Sequence, residues 1–359
     1  MGKTGPPAYL FAKTGSPLTK NKSRRPRIKR AALRSIPGKQ SKEIAMTGQT
    51  EDIAGENRRG FLKCMLWAGT GVVWTVSGGV PRSALIGGGA MAATTAAGDL
   101  TFVQISDSHI GFAKAPNTDT AATLKEAVDS VAAIKGNASL LIHTGDVSQL
   151  SRPAQFDTAE QIVKGAGLDT HYVPGEHDVL DDDGKSFFER FTNGAARGYY
   201  SFDQQGVHFV GLNNVQDLKS GGLGNLGGDQ LEWLKNDLSG RSASQPIVVF
   251  AHIPLWTVYQ DWGWGTDDGT QALSYLKRFG SVTVLNGHIH QVMQKVEGNI
   301  AFHTARSTAF PQPAPGTASG PGPIKDFPSD KLRSVLGVTR VSQIRGSARL
   351  AIVDTPLGA

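Results

Sequence analysis

From residue 100 onward the chain alternates short apolar runs with longer amphipathic stretches, and several of the runs end in glycine followed by aspartate, glutamate or histidine. Runs of four to eight apolar residues bounded by turn signals read as buried strands. The strand candidates are Leu100 to Ile105, Ser139 to His143, Thr170 to Val173, Tyr199 to Phe202, Val207 to Leu212, Pro246 to Ala251, Ser281 to Leu285, Val292 to Val296, Ile300 to His303 and Ala348 to Val353. Apolar residues at three- and four-residue spacing predict helices over Ala121 to Ile134, Ala154 to Ala166, Gln230 to Leu238 and Thr270 to Arg278. Strands alternate with helices first and then follow one another, an order that predicts an α/β domain with mixed sheets covered by helices over residues 93–359. Residues 311–330 are rich in Pro and Gly and read as a surface loop.

The polar residues that end the runs carry the chemistry. Asp107 and His109 follow the first run, Gly145 and Asp146 the second, and Gly175, Glu176, His177 and Asp178 the third. His252 ends a later run, and Gly287, His288 and His290 the next. Open α/β sheets place their ligands at these strand ends. Asp107 and His109 are two apart, as are His288 and His290, so in extended chain each pair faces one side. A single such pair has an ordinary explanation as a turn residue or a core histidine. Five clusters at successive strand ends do not: carboxylates and imidazoles gathered without Lys or Arg require a cation. Their nitrogen and oxygen donors suit Zn, Mn or Fe.

Composition narrows the alternatives. At 39% hydrophobic and 19% charged residues, the 359-residue chain belongs with neither disordered nor membrane-embedded proteins. The single cysteine, Cys64, lies before the predicted domain, which therefore holds neither a disulfide nor a thiolate metal site. The net charge of +6 is misleading. Of 37 Lys and Arg, twelve lie in residues 1–45 and four in 46–92, leaving 21; of 31 Asp and Glu, one and three lie there, leaving 27. An acidic body argues against nucleic-acid binding through phosphate neutralisation.

The ordered blocks Asp107-Ser108-His109, Gly145-Asp146, Gly175-Glu176-His177-Asp178, His252 and Gly287-His288-Ile289-His290 resemble those of the calcineurin-like metallophosphoesterases, over roughly residues 100–305. The resemblance implies a four-layer αββα sandwich with two central mixed β-sheets and a dinuclear site for divalent or trivalent metal ions. Carried over block by block, Asp107, His109 and His290 would hold one metal, Asp146 would bridge, and Glu176, His252 and His288 would hold the second. Two such metals lower the pKa of a shared water and stabilise charge on the phosphoryl oxygens. His177 stands where the resemblance implies a group that protonates the leaving oxygen, and Asp178 beside it would orient or charge-stabilise that imidazole. The family's third block usually carries Asn where this chain has Glu176, a change that adds negative charge and should strengthen metal binding. The expected function is hydrolysis of a small phosphate ester, a phosphodiester favoured over a monoester of a nucleotide or sugar. A metal- or partner-binding protein without catalysis is the non-enzymatic alternative that Glu176 leaves open.

Of the remaining histidines, His143 is read as a core residue or as a contact to the metal ligands, and His171, His208 and His303 as structural. Trp256 to Thr270, rich in aromatic residues, reads equally as a pocket wall or as a self-anchored loop.

Ahead of the domain, Arg58-Arg59-Gly60-Phe61-Leu62-Lys63, a soft apolar run from Cys64 to Val80 and the small residues around Ala90 and Ala92 have the order of a bacterial export signal. The arginine pair resembles the twin-arginine motif. Residues 46–92 therefore read as a signal peptide addressed to the twin-arginine export machinery, giving a periplasmic or otherwise exported protein. A retained anchor is the alternative, disfavoured by a run interrupted at Gly69, Gly71, Gly78 and Gly79. Residues 1–45 read as an over-long start with Met46 as the true one, or as a disordered basic arm.

Overall fold

A computed structural model describes residues 72–77, 80–85, 100–134, 138–192, 194–343 and 349–358. Strands β1 (Val72–Ser77) and β2 (Val80–Leu85) pair antiparallel, Val72 opposite Leu85, within the segment read as an export signal. The arginine pair and the small residues around Ala90 lie outside the described residues. No helix among the described residues is long and apolar enough to cross a membrane.

The remainder is built on two mixed sheets. The first has five strands in the order β13 (Leu350–Pro356), β12 (Gly337–Gln343), β3 (Thr101–Ile105), β4 (Leu140–His143) and β5 (Asp169–Tyr172). Its β3, β4 and β5 run parallel, and β12 and β13 are added antiparallel. The second has six strands in the order β10 (Gln294–Glu297), β11 (Ile300–Thr304), β9 (Val282–Asn286), β8 (Ile247–Phe250), β7 (Val207–Gly211) and β6 (Tyr200–Gln204). Here β7, β8, β9 and β11 are parallel, and β6 and β10 close the edges antiparallel.

The sheets meet face to face. Phe102, Leu140, Ile142 and Val341 of one pack with Phe209, Val248, Phe250 and Leu285 of the other. On the outer face of the five-stranded sheet, helix α1 (Thr120–Ile134) buries Leu124, Ala127, Val128 and Val131, the apolar stripe that its spacing dictates. Helix α2 (Pro153–Val163) and the short α3 (Lys185–Phe191) complete that layer with Phe156, Phe187 and Phe191. The six-stranded sheet is covered by α4 (Gly228–Ser239) and α5 (Gly269–Leu276) through Leu231, Leu234, Ala272 and Leu276. This is the expected αββα sandwich. Strands β3, β4 and β8 are buried throughout, which is why they read as predominantly apolar runs.

Two kinds of element escaped the sequence pattern. Strand β12 lies between β3 and β13, yet Gly337, Thr339, Arg340 and Ser342 break its apolar signal. Its Val338 and Val341 serve opposite faces, one toward the helices and one toward the second sheet. Helices α3 and α6 (Leu332–Val335) are too short to show periodicity.

At one edge the two sheets are also joined by a polar contact. His303 of β11, fully buried, places Nε2 3.0 Å from Asp354 Oδ1 on β13, and Thr339 donates to the same oxygen at 2.6 Å. Burial raises the Asp354 carboxyl, but the hydrogen bond and charge of His303 outweigh it and hold the carboxyl below the usual carboxylate range. The resulting stability is complete above the unfolded-state value and is lost as pH falls through the lower folded value. Asp354→Asn should therefore cost about 1–3 kcal/mol at pH 7. Urea denaturation should show the gap to wild type narrowing below about pH 4.

Candidate metal centre

The seven residues read as ligands lie at the carboxyl ends of parallel strands. Asp107 and His109 follow β3, Asp146 follows β4, and Glu176 opens a single helical turn, Glu176–Asp178, after β5. His252 follows β8, and His288 and His290 follow β9. The backbone there is not extended, and the expectation that each pair faces one side through strand alternation is corrected. Asp107 (φ 53°), His109 (φ 43°), Asp146 (φ 52°), His288 (φ 70°) and His290 (φ 55°) all adopt the left-handed region. These are five of eight non-glycine residues that do so among the described residues. Such conformations cost free energy and persist where the surroundings enforce them. Two glycines allow the loops to close on one another. A Cβ on Gly175 would collide with the backbone and carboxylate of Asp146, and one on Gly287 with the Ser106 hydroxyl and, at 2.7 Å, Asp107 Oδ2.

The side chains converge into two groups. Donor atoms of Asp107, His109 and His290 lie within 4.8 Å of one another, as do those of Glu176, His252 and His288. Asp146 stands between them, its Oδ2 3.4 Å from His109 Nε2 and 3.5 Å from His252 Nε2. Glu176 places one oxygen 2.9 Å from His252 Nε2 and the other 3.0 Å from His288 Nδ1. Those distances are not hydrogen bonds, because Glu176 Oε2, His252 Nε2 and both nitrogens of His288 are buried without a hydrogen-bond partner. Buried polar atoms left unpaired at such a density call for a missing partner. Atoms that approach closely without bonding one another aim at a shared point, and the donor set fits a cation.

Backbone carbonyls orient the imidazoles. His252 Nδ1 lies 2.7 Å from Thr144 O, and His290 Nδ1 2.6 Å from Phe310 O, so that Nε2 of each turns inward. The amide of His288 donates to both oxygens of Asp107 at 3.0 and 3.2 Å, and that of His177 to Asp146 Oδ1 at 3.0 Å. Burial drives His109 down to about 3, the neutral form that binds metal. Burial opposes charge on Glu176 as well, yet His288 and His252 hold it well below the usual carboxylate range. Against the same burial, Asp146 and Glu176 hold His252 well above the usual imidazole value. A cation would take over the compensating charge that His252 carries.

His177 joins His109 and Asp146 in a third cluster. Its Nδ1 lies 2.8 Å from Gln149 O, which presents the opposite nitrogen to the site. Burial lowers it, but Asp146, Glu176 and the Gln149 carbonyl prevail and hold it above its usual value. Asp178 makes no hydrogen bond to this ring; of the two roles expected of it the structure carries the second, its charge being one of those that raise His177. Its carboxylate accepts the amides of Val147, Ser148 and Gly175 at 3.0, 2.8 and 3.0 Å and the Ser148 hydroxyl at 3.0 Å. It ties the loop after β4 to the loop after β5, although burial and the charge of Asp146 push it up to about 7.

Residues 305–312 were missed by the sequence reading. Ser307 donates to Asp107 O at 2.8 Å, Thr308 to the Ser108 hydroxyl at 3.0 Å, and Gln312 to His288 O at 3.0 Å. The Phe310 ring stacks on His109 at 4.8 Å. These contacts are made by small polar groups and main chain, which carry no motif. His143 contacts the Ser108 hydroxyl at 2.8 Å, between two candidate ligands. His171 stacks on Phe202, and His208 lies between Asp203 and Asp237 on the far layers. The aromatic segment after His252 is anchored internally: Trp264 is fully buried, Trp262 packs edge-on to it, and Trp256 packs on Phe302.

Residues 100–292, more than half of the chain, match the family described as calcineurin-like phosphoesterase. The chain is 29% identical over 229 residues to a probable cyclic nucleotide phosphodiesterase of Synechococcus sp., covering 60% of this chain and 83% of that protein. It is 26% identical over 236 residues to the 3′,5′-cyclic adenosine monophosphate phosphodiesterase CpdA of Pseudomonas aeruginosa, covering 64% and 81%. Its fold is similar to that of a dimetal phosphatase from Danio rerio, at a TM-score of 0.53 and 15% identity over 72% of this chain and 96% of that one. A purple acid phosphatase from yellow lupin is similar at a TM-score of 0.52 and 13% identity over 72% and 52%. The chain thus belongs to the calcineurin-like phosphoesterase family, hydrolases that act on phosphate esters.

Proposed function

We propose that the protein hydrolyses phosphodiesters with two bound metal ions, and that a 3′,5′-cyclic nucleotide is its substrate. The observation that carries the metal reading is the pair of three-donor groups on either side of Asp146. The names of the two curated relatives support the diester and the nucleotide. Asp107, His109 and His290 would hold one ion, Glu176, His252 and His288 the other, and Asp146 both. Bound there, the ions would supply Lewis acidity toward the phosphoryl oxygens and a water of low pKa.

The chain's own groups do the rest. Left-handed backbone and carbonyl contacts hold the donors in place before substrate arrives, so little reorganisation is needed. His177, its ring fixed by Gln149 O and its basicity raised, is the group that hands a proton to the departing oxygen. Asp178, locked to three amides, keeps the His177 turn against the Asp146 loop.

We also propose that Arg58 and Arg59 direct twin-arginine export. Replacing both with Lys should leave the protein in the cytoplasm of a bacterial host that has this machinery, as read by cell fractionation; unchanged export would overturn that reading.

Bis-p-nitrophenyl phosphate with Mn-loaded full-length protein tests the reaction. Asp146→Asn should abolish turnover and lower the metal content measured on the same sample. His177→Ala should keep the metal and slow esters of alkyl alcohols by about 10²–10⁴-fold. Its effect on nitrophenyl esters should be much smaller, because nitrophenolate departs without a proton. Equal losses on both would remove His177 from the acid role.

A further inference from the structure

We infer that Glu176 sets the charge selectivity of the centre, turning it toward singly charged phosphodiesters and away from doubly charged monoesters and inorganic phosphate. The inference rests on the two-metal reading above and goes beyond it, because it concerns which phosphate is held and released.

Three carboxylates converge here, Asp107, Asp146 and Glu176, and their ion-pair partners are histidines. Three carboxylates (−3) against two divalent ions (+4) leave about +1, whereas an amide at position 176 would leave about +2. The difference of one charge holds whatever the neighbouring groups carry. Glu176 is also the carboxylate that an arriving anion meets. Its side chain is 25% exposed, against 0% for Asp107 and 3% for Asp146. Both of its oxygens face histidine nitrogens at 2.9 and 3.0 Å, so the charge is held at the donors and does not swing into solvent.

A phosphodiester carries one negative charge near neutral pH, and a monoester close to two. Removing one positive charge from the centre weakens attraction for each anion, but about twice as much for the dianion. At an effective dielectric of about 20 and separations of about 5 Å, the extra penalty on the dianion is on the order of a few hundredfold in affinity, and solvent at the half-open site reduces it. The same bias helps turnover. Hydrolysis converts a monoanionic diester into a monoester that becomes dianionic, so the product leaves a centre that holds it weakly.

The test compares wild type with Glu176→Gln, which removes the charge, and Glu176→Asn, which installs the family's usual residue. Metal content is measured first, with metal raised until every protein holds the same number of ions. Binding of inorganic phosphate is then followed by calorimetry, and kcat/KM is taken on bis-p-nitrophenyl phosphate and p-nitrophenyl phosphate. The expected result is tighter phosphate binding and a monoester-to-diester ratio raised about tenfold or more in both variants. Unchanged phosphate affinity and an unchanged ratio at equal occupancy would overturn the inference. Should none of the proteins hydrolyse either ester, the proposed reaction fails, yet phosphate binding still decides the role of Glu176. Should wild type bind no metal, both fall.

Discussion

Asp107, Asp146 and Glu176 repel one another, and the architecture of the site follows from holding them together. Two carboxylates about 5 Å apart repel by about 3 kcal/mol at an effective dielectric of 20, and burial adds the loss of hydration. Four imidazoles interleave with the three acids. Against its burial, His252 is held well above the usual imidazole value by Asp146 and Glu176, while burial keeps His109 neutral. The arrangement is stable enough to form but leaves donor atoms unpaired. Those atoms are what the centre offers to a cation, whose binding would convert mutual repulsion into shared coordination.

Holding such a cluster requires rigid supports. The ligands sit two to four residues beyond the ends of five strands, four of them buried throughout, so the loops begin from fixed points. Left-handed backbone at five of the seven candidate ligands costs on the order of 1–3 kcal/mol each. The core between the sheets offsets that strain, together with hydrogen bonds donated to the ligand loops by the Ser307, Thr308 and Gln312 side chains.

The strands and the ligand blocks were legible because buried parallel strands are continuous apolar runs and because the donors stand directly after them. Helices of three turns or more were legible from their spacing. Strand β12 was not, since a strand flanked on both sides in the sheet can carry Thr, Arg and Ser where they face solvent or partners. Ser307, Thr308, Phe310 and Gln149 were invisible for another reason. They act through main-chain carbonyls, hydroxyls and ring stacking, none of which demands a distinctive residue at a fixed spacing. Asp178 lends its charge to His177 as adjacency suggested, but adjacency said nothing about the three amides that claim its carboxylate.

Each donor group is divided between the two sheets. Asp107 and His109 come from the five-stranded sheet and meet His290 from the six-stranded one; Glu176 comes from the five-stranded sheet and meets His252 and His288 from the other. Neither group exists unless the sheets are in register with one another. Packing of Phe102, Phe209 and Phe250 therefore sets donor geometry from a distance, and an error of about 1 Å there would reach both groups together. The coupling runs in the other direction too. A cation that binds only the assembled donors clamps the sheets and stabilises the fold by mass action, so that chemistry and stability draw on the same interface.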